Sequence, residues 1–219
     1  MTGRQGPRWR ALAPIPLLAL VAGFLSACSR DGDPTMQPTG LERVLDTSLG
    51  DGRPEVKSAS GVMDLDLAAG ATTIPSGTMK TYLRSHGFQG GYSRVWKRGT
   101  ELVTALGYHF FAERDASDFV QWAGDLIESG QFDTPQTDAL VPGSRALTLV
   151  SRVQKQTRFC AIEFFDVNRD AFVLTKCADY PVPVEDVTAL AHRQLVKAVT
   201  GNLPTTPQPS SSSPTGSSP

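Results

Sequence analysis

Apolar positions change their period several times along the chain, and each change marks an element. Met79, Tyr82, Leu83 and His86 fall at i, i+3, i+4 and i+7, which predicts a helix with Pro75 in its first turn. Gly87 ends that helix and leaves Phe88 free to fold back on Leu83. Tyr92 to Lys97 then alternates and Arg98-Gly99-Thr100 turns the chain. Leu102 to Phe111 runs back with Leu102, Thr104, Leu106, Tyr108 and Phe110 on one face. A second helix opens near Asp115, aligns Phe119, Trp122, Ala123 and Leu126, and stops before Gly130.

The second half continues in the same order. Leu147, Leu149, Ser151 and Val153 alternate, and Arg158–Asp166 with Ala171–Ala178 reads as a hairpin. A last helix from Val184 to Val199 buries Val187, Leu190, Ala191, Leu195 and Ala198. Glu185 and Asp186 stand in its first turn and Lys197 in its last, as the helix dipole favours. Hairpins alternating with helices predict an α+β fold, an antiparallel sheet of about five strands with helices packed on one face. Ser93-Arg94-Val95-Trp96-Lys97 and Ser151-Arg152-Val153-Gln154-Lys155 agree at four of five positions. Each precedes a strand carrying a Phe-Phe pair, Phe110-Phe111 and Phe164-Phe165. A duplicated ββα unit would account for this; chance likeness is the alternative.

The hairpin also makes a covalent prediction. A turn at Asn168-Arg169 pairs residues whose numbers sum to 337, which sets Cys160 opposite Cys177, with Ile162/Thr175 and Phe164/Val173 on the same face. With a two-residue loop, Val167/Asp170 closes the turn. The cysteines then form a non-hydrogen-bonded pair, alpha carbons ~4.5 Å apart and within disulfide reach. A three-residue loop would shift the register by one and put them on opposite faces. A Cys160–Cys177 disulfide is expected, two buried free thiols being the alternative.

Both ends of the 219-residue chain follow other rules. Arg4, Arg8 and Arg10 precede an apolar run, Ala11 to Phe24, that Pro14 and Pro16 interrupt. The run is shorter than the ~20 residues of a spanning helix and ends in small residues, the pattern of a secretory signal. Leu25-Ser26-Ala27-Cys28 follows and resembles the bacterial lipobox. That resemblance implies diacylglycerol transfer to the Cys28 sulfur, cleavage before Cys28 and acylation of the new amino group. Pro204 to Pro219 holds five prolines, six serines and three threonines without an aliphatic or aromatic side chain, so it is expected to stay disordered. The expected layout is a signal peptide over 1–27, a flexible tether over 28–40, a single α+β domain over 41–203 and a Pro/Ser/Thr-rich tail over 204–219.

Charge and motif searches mostly exclude. The whole chain has 21 basic and 22 acidic residues, and loss of the three signal arginines leaves 18 against 22. No nucleic-acid partner is expected from that balance. Gly-x-Ser-x-Gly, Ser-x-x-Lys, His-Glu-x-x-His, Cys-x-x-Cys and the Walker loop are absent from the sequence. Asp166-Val167-Asn168-Arg169-Asp170 begins like a calcium loop. It fails at Ala171 and Cys177, where the turn glycine and the bidentate glutamate belong, and reads as a hairpin turn. No cofactor and no metal is expected. His86 suits a helix C-terminus and His192 a solvated face, while His109 shares a strand face with Val103, Ala105 and Phe111. Trp96 and Trp122 could line a ligand groove, but at strand and helical period they read as core, and Asp46, Asp51 and Glu55 read as a solvated acidic loop.

The lipobox is joined by an ordered run: Gly87-Phe88, then Gly91-Tyr92-Ser93-Arg94-Val95-Trp96, an apolar strand and Asp115-Ala116. Together they are similar to small actinobacterial cell-envelope lipoproteins without assigned activity. A more distant similarity is to extracellular sensor domains of actinobacterial kinases. Neither resemblance supplies a catalytic residue. An anchor, a spacer and a domain without a catalytic motif predict a non-enzymatic binding or interaction module on the outer face of the bacterial cell membrane. Its expected partners are the lipid bilayer, through acylated Cys28, and an envelope protein or small apolar ligand. The alternative is a cell-envelope hydrolase using His109 and a nearby carboxylate.

Overall fold

Six strands hydrogen-bond into one antiparallel sheet in the order β1-β2-β3-β6-β5-β4. The computed structural model describes residues 39–129, 141, 143–153 and 156–200. The signal segment, Cys28, nearly all of the tether and the tail lie outside the described residues. In chain order the elements are α1 (Leu41–Val44), a single 3-10 turn (Lys57–Ala59), β1 (Gly61–Met63), α2 (Leu65–Gly70), α3 (Ser76–Ser85), β2 (Phe88–Arg98) and β3 (Glu101–Phe110). Then follow α4 (Glu113–Ser129), β4 (Arg145–Val153), β5 (Gln156–Val167), β6 (Asp170–Ala178) and α5 (Val184–Thr200). The fold is α+β with an antiparallel sheet, one strand larger than the sequence pattern suggests.

Local chemistry explains the boundaries. Asp64 caps α2, its carboxylate accepting from the Leu67 N–H at 2.8 Å. Pro75 sits one place before α3 as its N-cap rather than inside the first turn. Gly87 leaves α3 at φ +67, where a side chain would be strained and would press on Phe111. Asn168 takes the left-handed conformation at φ 55 that asparagine tolerates, so the β5–β6 loop needs only two residues. Val167 therefore pairs with Asp170, and seven steps back Cys160 stands opposite Cys177.

The helices do not share one face of the sheet. On one side α2, α3 and α4 pack Ala68, Met79, Leu83, Phe119 and Ala123 against Leu106, Tyr108, Phe110, Ile162, Phe164 and Val173. On the other, α1 and α5 pack Leu41, Val187 and Ala191 against Trp96, Val103, Ala105, Phe165, Phe172 and Leu174. The cause is visible in β6, where Ala171-Phe172-Val173-Leu174 is apolar without alternation and buried on both faces. A sheet apolar on both sides needs two covering layers.

Each half contributes three strands and a long helix, and the strand order reads as a palindrome about the β3–β6 pair. The shared Ser-Arg-Val run falls in the middle of β2 but at the end of edge strand β4. Those positions are not equivalent, and α4 and α5 cover opposite faces, so the chance reading of the likeness is favoured over a duplicated ββα unit.

The acidic loop is more than a solvated segment. Asp46 is only 4% exposed. Its backbone N–H donates to Gln194 of α5 at 3.0 Å, and Gln194 Nε2 donates to the Val44 carbonyl at 2.9 Å. Lys197 Nζ reaches the Leu45 carbonyl at 2.5 Å and Arg193 the Leu49 carbonyl at 2.8 Å. Burial raises the Asp46 carboxyl above its usual range, against the pull of Arg193, Lys197 and Arg94. Glu55 pairs with Arg94 at 3.0 Å and with Lys57. The Gln194, Lys197 and Arg193 contacts clamp residues 44–49 to the last helix.

Candidate functional site

An open groove lies between α3 and α4. Helix α3 buries Met79, Tyr82 and Leu83 and turns Gly77, Thr78, Thr81 and Ser85 outward. Helix α4 brings Trp122 onto the Tyr82 ring at 3.9 Å between centroids and 16° between planes. On its other face Tyr82 carries His86, at 3.8 Å and 6°. The result is a three-ring stack, offset-parallel in the sense aromatic rings prefer. Gly77, Thr78, Thr81, Tyr82, Ser85 and Trp122 line an open groove of about 470 Å³.

The groove's polar groups are hydroxyls. Thr81 Oγ1 donates to the Gly77 carbonyl at 2.9 Å, which leaves its lone pairs to accept from a guest, while Ser85 Oγ lies 3.0 Å from the Thr81 and Tyr82 carbonyls and 2.9 Å from His86 Nδ1. Tyr82 is 8% exposed, and its Oη has no hydrogen-bond partner among the described residues. Burial, then the carboxylates of Asp118 and Asp115, hold its phenol proton well above the usual tyrosine range. Tyr82 is thus an un-ionised donor without an acceptor. Such a surface can stack one apolar ring face and exchange hydrogen bonds with neutral polar groups.

The sequence pattern favours core over a ligand groove for Trp122 and does not bring α3 beside it. Trp122 does follow the α4 stripe, but it is half-buried rather than enclosed. The available signal was Thr78, Thr81 and Ser85 at i, i+3 and i+7, a hydroxyl stripe beside the apolar one. Trp96, by contrast, is fully buried under α1 and α5, as expected of a core residue.

His109 has found a carboxylate. It pairs with Asp170 across β3 and β6, and its Nδ1 lies 2.6 Å from Asp170 Oδ1. The two side chains are 27% and 24% exposed. Burial raises the Asp170 carboxyl, and the hydrogen bond from His109 opposes that shift. Phe111 is not on this face as expected. It lies one residue past β3 and is 71% exposed, because β3 ends at Phe110 and the chain turns there into α4. His86 stands where a helix C-terminus wants it, Nδ1 2.9 Å from the Tyr82 carbonyl, and His192 is exposed.

Cys160 and Cys177 are 4% and 8% exposed, with alpha carbons 4.1 Å apart and sulfurs at 2.11 Å. Beside them Leu102, Thr104, Ile162 and Thr175 help to enclose a cavity of about 20 Å³, room for one water and no more. Among the described residues no group of three or more His, Cys, Asp or Glu is placed to hold a metal ion. Asp166 to Asp170 forms the tight β5–β6 turn. No described helix is long and apolar enough to cross a membrane.

What the fold and groove define is an α+β protein whose sheet is covered by helices on both faces, with an open surface groove lined by uncharged residues. No protein-family model matches the chain, and no curated protein matches it. Among solved structures it is similar to the extracellular domain of PknH from Mycobacterium tuberculosis. The two share 13% identity over 69% of this chain and 80% of that chain, with a TM-score of 0.45.

Proposed function

We propose that the protein is a lipid-anchored, extracytoplasmic binding module whose ligand enters the α3–α4 groove. The single observation that carries the binding half is the groove itself, an open site of about 470 Å³ floored by stacked rings and edged by hydroxyls. Support for export comes from the lipobox-like Leu25-Ser26-Ala27-Cys28 and from the paired Cys160 and Cys177, since disulfides persist where the milieu is oxidising. Several acyl methylenes on Cys28, each worth ~0.8 kcal/mol when buried, would hold the chain on the bilayer.

Two measurements test this. Cys28→Ala is expected to release the protein from membranes or leave it unprocessed, and mass spectrometry of the unmutated chain to find diacylglyceryl on Cys28. Normal processing and membrane retention of the variant would overturn the anchor. A photocrosslinking residue at Thr81 in intact cells is expected to trap a ligand that the same residue at exposed Lys97 does not. Equal trapping at both positions, or none at Thr81, would overturn the binding site.

The hydrolase alternative keeps one specific observation, the His109–Asp170 pair, in which a carboxylate orients the imidazole as a general base requires. It would need a nucleophile or an activated water beside the other ring nitrogen. Loss of a wall-hydrolysing activity in His109→Ala, with unchanged melting temperature, would favour it over the binding reading.

A further inference from the structure

We infer that the α3–α4 groove binds a neutral saccharide, one sugar ring lying on Trp122 with its hydroxyls bonded to Thr78, Thr81 and Ser85. The inference rests on the binding reading above and adds the ligand's chemistry to it.

Two observations lead to that class. First, the lining pairs an aromatic face with hydroxyls and offers no carboxylate, ammonium or guanidinium to a guest. A charged ligand would lose its hydration there without gaining a counter-charge. Anions are disfavoured further, because Asp115 and Asp118 lie close enough to act on the Tyr82 phenol. Asp118 is also engaged by Arg114 at 3.3 Å, which blunts the attraction for a cation.

Second, Thr78, Thr81 and Ser85 are all exposed along one line of α3, at i, i+3 and i+7. That spacing presents hydroxyls over two helical turns, so more than one polar group of an extended guest can be met. A pyranose has the matching anatomy, with C–H groups on one ring face for the indole and hydroxyls around its rim.

The test uses the full lipidated chain in detergent micelles free of sugar headgroups. Neutral hexasaccharides of glucose, mannose, galactose, arabinose and N-acetylglucosamine are titrated by calorimetry and tryptophan fluorescence. Choline and palmitate serve as the cationic and apolar probes. At least one saccharide is expected to release heat and shift the emission. Thr78→Val with Thr81→Val, two exposed positions where the shape is kept, is expected to weaken it about tenfold, the worth of a hydrogen bond or two. Trp122→Phe is expected to weaken it as well and to abolish the emission shift. The Val variants must keep the parent melting temperature, which separates lost contacts from lost fold. No heat from any saccharide, or saccharide heat unchanged in both variants, overturns the inference. Palmitate or choline binding that Trp122→Phe removes also overturns it, while leaving a binding module in place. If the Thr81 crosslinker traps nothing as well, the binding reading falls with it.

Discussion

Breaking the Cys160–Cys177 link should cost stability in an amount the hairpin geometry sets. The bond closes a segment of 17 residues and is flanked on both sides by regular β5–β6 pairing. Because the Asn168-Arg169 turn and the ladder already fix the register, opening the bond leaves the native hairpin where it is. The effect therefore falls on the unfolded chain, which regains the freedom of a loop that size. The chain-entropy relation gives about 3 kcal/mol for that loop length. For a domain of this size, 1 kcal/mol moves the melting temperature by about 2–4 °C, so the reduced protein should melt roughly 6–12 °C lower.

The cleanest comparison is the same chain, oxidised and reduced, followed by circular dichroism on heating. Both cysteines are buried, so reduction is carried out in denaturant and refolding under reductant. An alanine pair is a poorer choice, since removing both sulfurs enlarges the neighbouring cavity and adds a packing loss. A reduced form that melts within about 2 °C of the oxidised one would refute the loop argument. Two alkylatable thiols in the unfolded but unreduced protein would refute the bond.

Two further outcomes follow from the core. Glu163 is fully buried with Oε2 unpartnered and Oε1 bonded to Ser144 at 2.8 Å; burial raises its carboxyl pKa, partly opposed by that bond. A raised acid is neutral in both states at low pH and favours the unfolded chain once that chain ionises. Stability from this group is thus full below the ordinary glutamate range and falls as pH rises toward the folded value. Glu163→Gln should therefore gain on the parent as pH goes from 4 to 8 in paired melts; a constant difference would refute it. Gly91→Ala should lose about 1–3 kcal/mol in denaturant unfolding, since its Cβ would stand 2.8 Å from the Gly107 carbonyl oxygen and 2.9 Å from Met63 Cε; an unchanged midpoint would refute the close approach of β2 and β3.

What the sequence made legible was local. The β5–β6 register could be written down in advance because two residues separate the strands and one asparagine takes the left-handed turn. The faces of β3 and the bounds of α4 and α5 were likewise carried by uninterrupted periodicity. Strand β1 was missed because three residues are too few to alternate, and Gly61–Met63 is a strand only because Tyr92 and its neighbours pair with it. The His109–Asp170 pair was half legible: the histidine was named, its carboxylate was not. Their register belongs to β3 and β6, which are joined through α4, β4 and β5, and no turn chemistry reports on so distant a pairing. The groove escaped for a related reason. It needs α3 and α4 side by side, and each helix's own pattern says only which of its faces is buried.

The two faces of the sheet are built for different work. Under α1 and α5 the chemistry is spent on holding: Gln194, Lys197 and Arg193 bind the 44–49 backbone, Asp46 is enclosed among cations, and Lys176 reaches Asp186 at 2.6 Å. Under α2, α3 and α4 the core is almost wholly apolar, and Thr78, Thr81 and Ser85 of α3 lie on its exposed side. The N-terminal segment enters through Leu41 of α1, on the α5 face.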